Sequence, residues 1–407
     1  MITIHQPRKT TTANGRVRLT AAIDVAGQTH DLWTEVPAAY GDYLCTERAD
    51  AFVAALLFVA VKTGEDITFE TPMTDELKDG VEHDFIDVIC QHEPSLHHVR
   101  LFGPTAPCLP KSRTVLGTGA SCGVDCLYTI QRRIDGKADE RYLVIQNVHG
   151  YVNDDSDEKR AYRKNHLHAI AKSLADDLKI PLIDCDTNFD TSGIPHLAFE
   201  GCTTYGNLFT VLALQKLFTR YYIASGGPVT DFGHFLQKGI FGTDCSDGDL
   251  LTLQAFSTSG LRFVVDGLED RIAKVASLCN YEIAWRHLDV CHVHPVVHTG
   301  GGYANCTNGC PKCCRTILEI MAQGGNALEK FRGCFDVDYV KSHMFVYAAE
   351  LLRTRLIRNE FGLETWPHRA AIGFTVGDWC RGGWIVFKKI VKKILRGGTT
   401  SHRFVEK

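Results

Sequence analysis

Residues 117–126 read GTGASCGVDC, a glycine-rich stretch between the apolar run Thr114-Val115-Leu116 and the apolar segment Leu127-Tyr128-Thr129-Ile130. The flanks predict a strand that ends in a turn and a buried helix that opens from Val124. Such a turn presents backbone N–H groups and the positive end of a helix dipole, which suits an anion. Gly117 and Gly119 are expected to let the chain turn tightly just ahead of it. Two cysteines in an anion cradle are unusual, and what they do there bears directly on function.

From residue 114 onward, strands alternate with helices. The expected strands are 114–116, 142–148, 181–185 and 220–224, and helices are expected from Val124 and at 158–178 and 203–218. This alternation predicts an α/β fold, a parallel sheet with helices on both faces. The loops after the strands then collect at one edge, where ligands bind in open sheets. These are the 117–126 loop, His149 with Gly150, and residues 186–190. Residues 1–110 instead mix short strands (17–23, 29–36, 67–69, 98–102) with a helix at 50–63, for which Asp50 is the expected N-cap. A small α+β domain is predicted there, followed by a linker punctuated by Pro104, Pro107 and Pro110. The expected division is 1–110, an α/β domain at 111–330, and a helical C-terminal region at 331–407.

The chain has 407 residues, 44% hydrophobic and 23% charged, with a formal net charge of -4. That describes an ordinary globular protein with room for two or three cores. It gives no overall electrostatic push toward nucleic acid. The N-terminal stretch lacks a signal-like apolar core, and the longest apolar run, 51–61, is far short of the roughly 20 residues that span a bilayer. A cytoplasmic location is expected. In a reducing compartment the 16 cysteines form no disulfide framework. Cys45, Cys90, Cys185, Cys202, Cys279 and Cys334, scattered through apolar segments, read as small core residues. Cys306, Cys310 and Cys313 are different. They are spaced closely around Gly309 and Pro311, with Cys291 upstream, so a knuckle at 291–316 is predicted to converge four thiolates on one Zn2+. His292, His294 and His298 compete for the fourth place.

The segment Ser121-Cys122-Gly123-Val124-Asp125-Cys126 resembles the Ser-Gly-Gly-x-Asp-Ser signature of the PP-loop ATP pyrophosphatases, the adenine nucleotide alpha-hydrolase-like superfamily. Within it, the cysteine knuckle followed by Arg315 is similar to the zinc site of 7-cyano-7-deazaguanine synthases. The resemblance covers roughly residues 1–330. It implies a HUP-type α/β domain that cleaves ATP between its α and β phosphates and activates a substrate carboxylate or amide by adenylation. The implied activity is that of an AMP- and pyrophosphate-forming ligase or amidase. The nucleotide-binding candidates it implies are Leu116, Gly117, Gly119, Ser121, Cys122, Gly123, Val124, Asp125 and Cys126. Asp125, helping to hold Mg2+, and Cys126 are the catalytic candidates.

Cys122 stands where the family has glycine, and Cys126 where it has serine, a better hydroxyl donor. Three accounts stay open. The loop still binds ATP through backbone amides; it is a degenerate site in a non-catalytic binding or scaffold protein; or a dipole-activated cysteine works as a nucleophile or sulfur carrier, as in an ATP-dependent sulfurtransferase. Among weaker landmarks, Asn188 faces a ligand or makes a turn. Asp244, Asp247 and Asp249 read as a solvated turn rather than a metal loop. Arg271 and Lys274 reach the crevice or solvate a helix face. Residues 384–396 form a basic amphipathic helix, packed on its own body or docking on a protein partner or an anionic surface. The remaining expected partners are a small-molecule or peptide substrate with a carboxylate and, as a homodimer, a second copy of the chain.

Overall fold

A computed structural model describes residues 1–146, 157–198, 203–228, 246–291, 305–307, 310–357 and 359–395. His149, Gly150, Cys202, Asp244, His292, His294, His298, Gly309 and Arg396 lie outside the described residues, as does the side chain of Asp247. The chain forms two compact units, Met1–Glu269 and Asp270–Lys407.

The first unit is α/β with a mostly parallel central sheet. Its strands in chain order are β1 (Ile2–Ile4), β2 (Arg8–Thr11), β3 (Arg16–Val25), β4 (Gln28–Pro37), β5 (Ile67–Phe69), β6 (Met73–Thr74) and β7 (Leu101–Phe102). There follow β8 (Thr105–Ala106), β9 (Val115–Gly119), β10 (Glu140–Gln146), β11 (Leu182–Thr187), β12 (Arg220–Ala224) and β13 (Arg262–Asp266). The sheet runs β13-β12-β9-β10-β11-β4-β3-β1-β5-β7, with β2 paired to β3, while β6 and β8 pair separately. The five strands from β9 onward are all parallel. Numbered among themselves they lie in the order 3-2-1-4-5, so the chain leaves β9 first to one side and later to the other. That reversal is a topological switch point, the place where open α/β sheets take ligands.

The sheet does not stop at residue 110. β4 pairs antiparallel with β11, Glu35 opposite Asp186 and Thr34 opposite Thr187. Thr34 Oγ1 donates to the Asp186 carbonyl at 3.1 Å and Thr187 Oγ1 to that of Trp33 at 2.7 Å. Buried Glu35 takes the Arg18 guanidinium at 2.8 and 2.9 Å and lies 2.9 Å from Arg16 Nε, and Arg16 also donates to the Asp184 carbonyl at 2.7 Å. One apolar core spans both sides of this seam, including Leu19, Phe52, Val115, Ile183 and Phe209. The helix Asp50–Thr63 packs on Thr203–Ala213, Phe52 meeting Phe209 edge-on at 5.4 Å. The expected boundary at 110 is therefore bridged by backbone pairing and a shared core. The one expected at 330 falls inside the second unit.

Asp50 is the first residue of its helix rather than its N-cap, which is Ala49. Its buried carboxylate accepts from Thr74 N at 2.8 Å and Thr74 Oγ1 at 2.6 Å, fastening the helix to β6. Burial raises its pKa.

In the second unit the regular elements among the described residues are helices. The principal elements are Arg271–Leu278, Pro311–Met321, Met344–Leu356 and Val376–Leu395. No helix among the described residues is long and apolar enough to cross a membrane.

Gly117 sits within β9, where a Cβ would come within 2.6 Å of the Phe218 and Tyr221 rings. A Cβ on Gly119 would meet nothing within 4 Å. Gly117→Ala is expected to lower stability by about 1–3 kcal/mol through overpacking. Gly119→Ala should stay within about 0.5 kcal/mol of the parent. Denaturant midpoints at unchanged m-value measure both.

Candidate functional site

β9 ends at Gly119, and the helix Val124–Arg133 starts after four intervening residues, with Gly123 as its N-cap. The backbone between them reverses at Cys122, whose φ is 59°. A non-glycine residue in this left-handed region costs of order 1–2 kcal/mol. This explains the glycine of the resembling motif. It also corrects the sequence reading, because Gly117 and Gly119 are strand residues and the turn is made at Cys122. The Cys122 side chain is fully buried, its Sγ 3.7 Å from the Ala120 carbonyl. The sulfur therefore points into the protein and not over the loop's open side. Ser121 is exposed, and Gly123 and Asp125 are half-buried. The strand residues Leu116 and Gly117 are buried behind the loop.

Cys126 is nearly buried and donates its thiol to the Gly119 carbonyl at 3.1 Å. Burial pushes that thiol up to about 11. This is the opposite direction from the dipole-lowered thiol that a nucleophile at a helix start requires. Cys126 acts here as a clasp between the first helical turn and the strand end.

Two residues on the same carboxyl edge were missed in the sequence. Ser225, buried just after β12, donates from N to the Asp266 carbonyl at 2.8 Å and from Oγ to that of Gly227 at 2.7 Å. Asp266, buried at the end of β13, takes Arg133 Nε at 2.5 Å, and its Oδ2 has no hydrogen-bond partner among the described residues. The available signal was Ser225-Gly226-Gly227 directly after a strand, a second small-residue turn beside the first. Asn188 proves to be a turn residue, accepting from Trp33 N at 2.8 Å and donating to the Asp31 carbonyl at 2.7 Å. Asp249 is no solvated turn residue. It is buried on the helix Ser246–Ala255 and accepts from Thr204 Oγ1 at 2.6 Å.

In the second unit Cys291, Cys306, Cys310 and Cys313 are all buried, with their Sγ atoms within 4.8 Å of one another. Cys306 and Cys313 are 3.6 Å apart. A tetrahedron with metal–sulfur bonds of about 2.3 Å has edges of about 3.8 Å, so the cluster can hold a metal ion and is compatible with zinc. Hydrogen bonding to Cys306 lowers the Cys291 thiol to about 6, and bonds to Cys291 and Cys306 hold Cys310 lower still. Burial instead raises Cys45 and Cys334 to about 12 and Cys279 to about 11. These three and Cys185 are core residues, and Cys90 is half-buried.

The local fold explains the convergence. Cys310 is the N-cap of the helix Pro311–Met321, with Pro311 at its first position. Cys313 follows within the first turn, so both sulfurs sit at the positive end of the dipole. Asn305, whose role the sequence did not reveal, staples the second segment to the first. It accepts from Val290 N and donates to the Leu288 carbonyl, each at 2.7 Å. Nearby, Arg271 and Lys274 are buried rather than solvated. Arg271 donates to Glu319 at 3.1 Å and Thr316 at 3.2 Å, and Arg315 reaches the same Glu319 at 2.9 Å.

Comparisons with protein-family models, curated proteins and solved structures find no match to this chain.

Protein purified without added zinc is expected to carry about one zinc per chain by elemental analysis, since four-thiolate sites bind tightly. Cys310→Ser should lose the metal and destabilise the second unit. A folded, metal-free parent would refute the assignment. In native protein at pH 7–8, Cys126 should alkylate more slowly than exposed Cys380. Peptide mapping after iodoacetamide treatment reads this out.

Proposed function

We propose that the chain is an ATP-dependent, AMP- and pyrophosphate-forming ligase or amidase of the PP-loop type, with a structural zinc in its second unit. The observation that carries the reading is the loop 119–123 at the switch point of a 3-2-1-4-5 parallel sheet, opening onto the N-terminus of a ten-residue helix. Three features fit a polyphosphate. Open space stands over Gly119, the Cys122 side chain is turned inward, and Ser121 is exposed. Backbone N–H groups at the start of the helix would face the phosphates, with the Ser121 hydroxyl as a further donor. Asp125 would contribute a carboxylate toward Mg2+, which neutralises phosphate charge when bound. In the reaction class proposed, a substrate carboxylate oxygen attacks the α-phosphorus and pyrophosphate leaves. A nitrogen nucleophile then displaces AMP.

A second reading, a non-catalytic protein with a degenerate nucleotide site, draws on the strained Cys122, since glycine would hold that turn at no cost. A sulfurtransferase based on Cys126 is disfavoured by its buried, upward-shifted thiol.

Calorimetry with Mg·ATP or a non-hydrolysable analogue tests the reading. Binding is expected, weakened by roughly tenfold or more in Asp125→Ala, while Gly119→Val should block the open space without unfolding the protein. Cys122→Gly should preserve or strengthen binding. Turnover with a competent carboxylate should release AMP rather than ADP. Absence of binding by ATP, AMP and their analogues would favour the degenerate site.

A further inference from the structure

Among the described residues, ten large apolar side chains are exposed, and seven of them fall between residues 356 and 390. Scattered exposed hydrophobics need no explanation, but a concentration of this kind marks an interaction surface. Four of the seven lie on the helix Val376–Leu395. One side of this helix is fixed on its own unit. Val386 is buried, and Gly382 comes so close to the helix Met344–Leu356 that a Cβ would lie 2.8 Å from Ala349 N. Trp379 anchors its first turn between Trp366 and Phe374, with ring centroids at 5.7 and 4.9 Å.

The outward side remains apolar in spite of that anchoring. Trp384, Phe387 and Ile390 are 56%, 54% and 43% exposed. They follow at three-residue spacing along one strip of the helix. The Trp384 and Phe387 rings stack at 5.6 Å. Arg381, Lys388 and Lys392, spaced by seven and four, line the neighbouring strip, and all are exposed. Lys388 Nζ stands 5.1 Å from the centre of the Trp384 ring.

We propose that this strip docks on an anionic lipid surface, with Trp384, Phe387 and Ile390 entering the interface and Lys388 and Lys392 meeting the headgroup charges. A convex helix with an aromatic strip and a parallel basic strip offers no groove for a peptide. A surface that is apolar beneath and anionic on top satisfies both strips at once. Tryptophan in particular belongs at such a boundary. The helix is not apolar enough to span, so it lies in the plane of the interface.

The test is co-sedimentation of the full chain with phosphatidylcholine vesicles, with and without about 30% phosphatidylserine. Binding is expected on the anionic vesicles and little on neutral ones. Lys388→Gln with Lys392→Gln should weaken it roughly 30-fold, from about fivefold per lysine. Trp384→Ser should weaken it as well, and every variant should keep its thermal midpoint because these side chains are exposed. A blue shift of tryptophan emission on anionic vesicles, lost in Trp384→Phe, gives an independent readout. Equal pelleting on both vesicle types, or none on either, would overturn the proposal. So would self-association, or retention on an acidic protein or RNA, that depends on Trp384 while no vesicle binding occurs.

Discussion

The pairing of β9 on both sides holds the first unit in register. Gly117 faces Tyr142 of β10 on one edge and Tyr221 of β12 on the other. Phe218 and Tyr221 close over it at a distance no side chain could share. A strand buried between two parallel neighbours cannot slip by one residue without turning every side chain to the wrong face. The position of Gly119, from which the turn departs, is therefore fixed by the sheet. The glycine that matters for packing lies two residues before the one that borders open space.

The cysteines show how environment separates chemistries available to a single residue type. At Cys126 and in the core, burial penalises the thiolate, and the sulfur serves as filler or weak donor. In the second unit four sulfurs are brought together by a proline-started helix and an asparagine staple, and their mutual hydrogen bonds lower Cys291 and Cys310 while raising Cys306 and Cys313. Four thiolates on one ion would leave no open coordination position, the arrangement of a structural site rather than a catalytic one. Cys122 belongs to neither group, being retained in a strained turn with its sulfur turned inward.

Much of this was legible in local sequence. The strand–helix alternation after residue 114 and the spacing of Cys306, Cys310 and Cys313 are short-range patterns, and both correspond to observed elements. The seam between β4 and β11 was not legible, because antiparallel pairing across some 150 residues leaves no periodic trace in either strand. Buried polar residues misled for a related reason. Asp50, Asp249, Arg271 and Lys274 carry the composition of a surface, and only tertiary partners such as Thr74, Thr204 and Glu319 make their burial tolerable. Asn305 is the same case at the cysteine cluster. An amide reads as a loop residue until both of its ends are seen to be used.

The left-handed turn at Cys122 bears on function through its cost. Strained backbone persists where surrounding structure over-determines it, and such positions cluster at sites that bind or react. Here the strain is enforced from three sides. Ala120 N is held by the Val144 carbonyl at 2.9 Å, Gly123 accepts from Leu127 N at 2.9 Å, and the Cys126 thiol ties the helix back to Gly119. These bonds secure the loop's two ends and its base, so the turn keeps its shape without a ligand. The order of the parallel strands places this turn at the switch point, where the sheet opens.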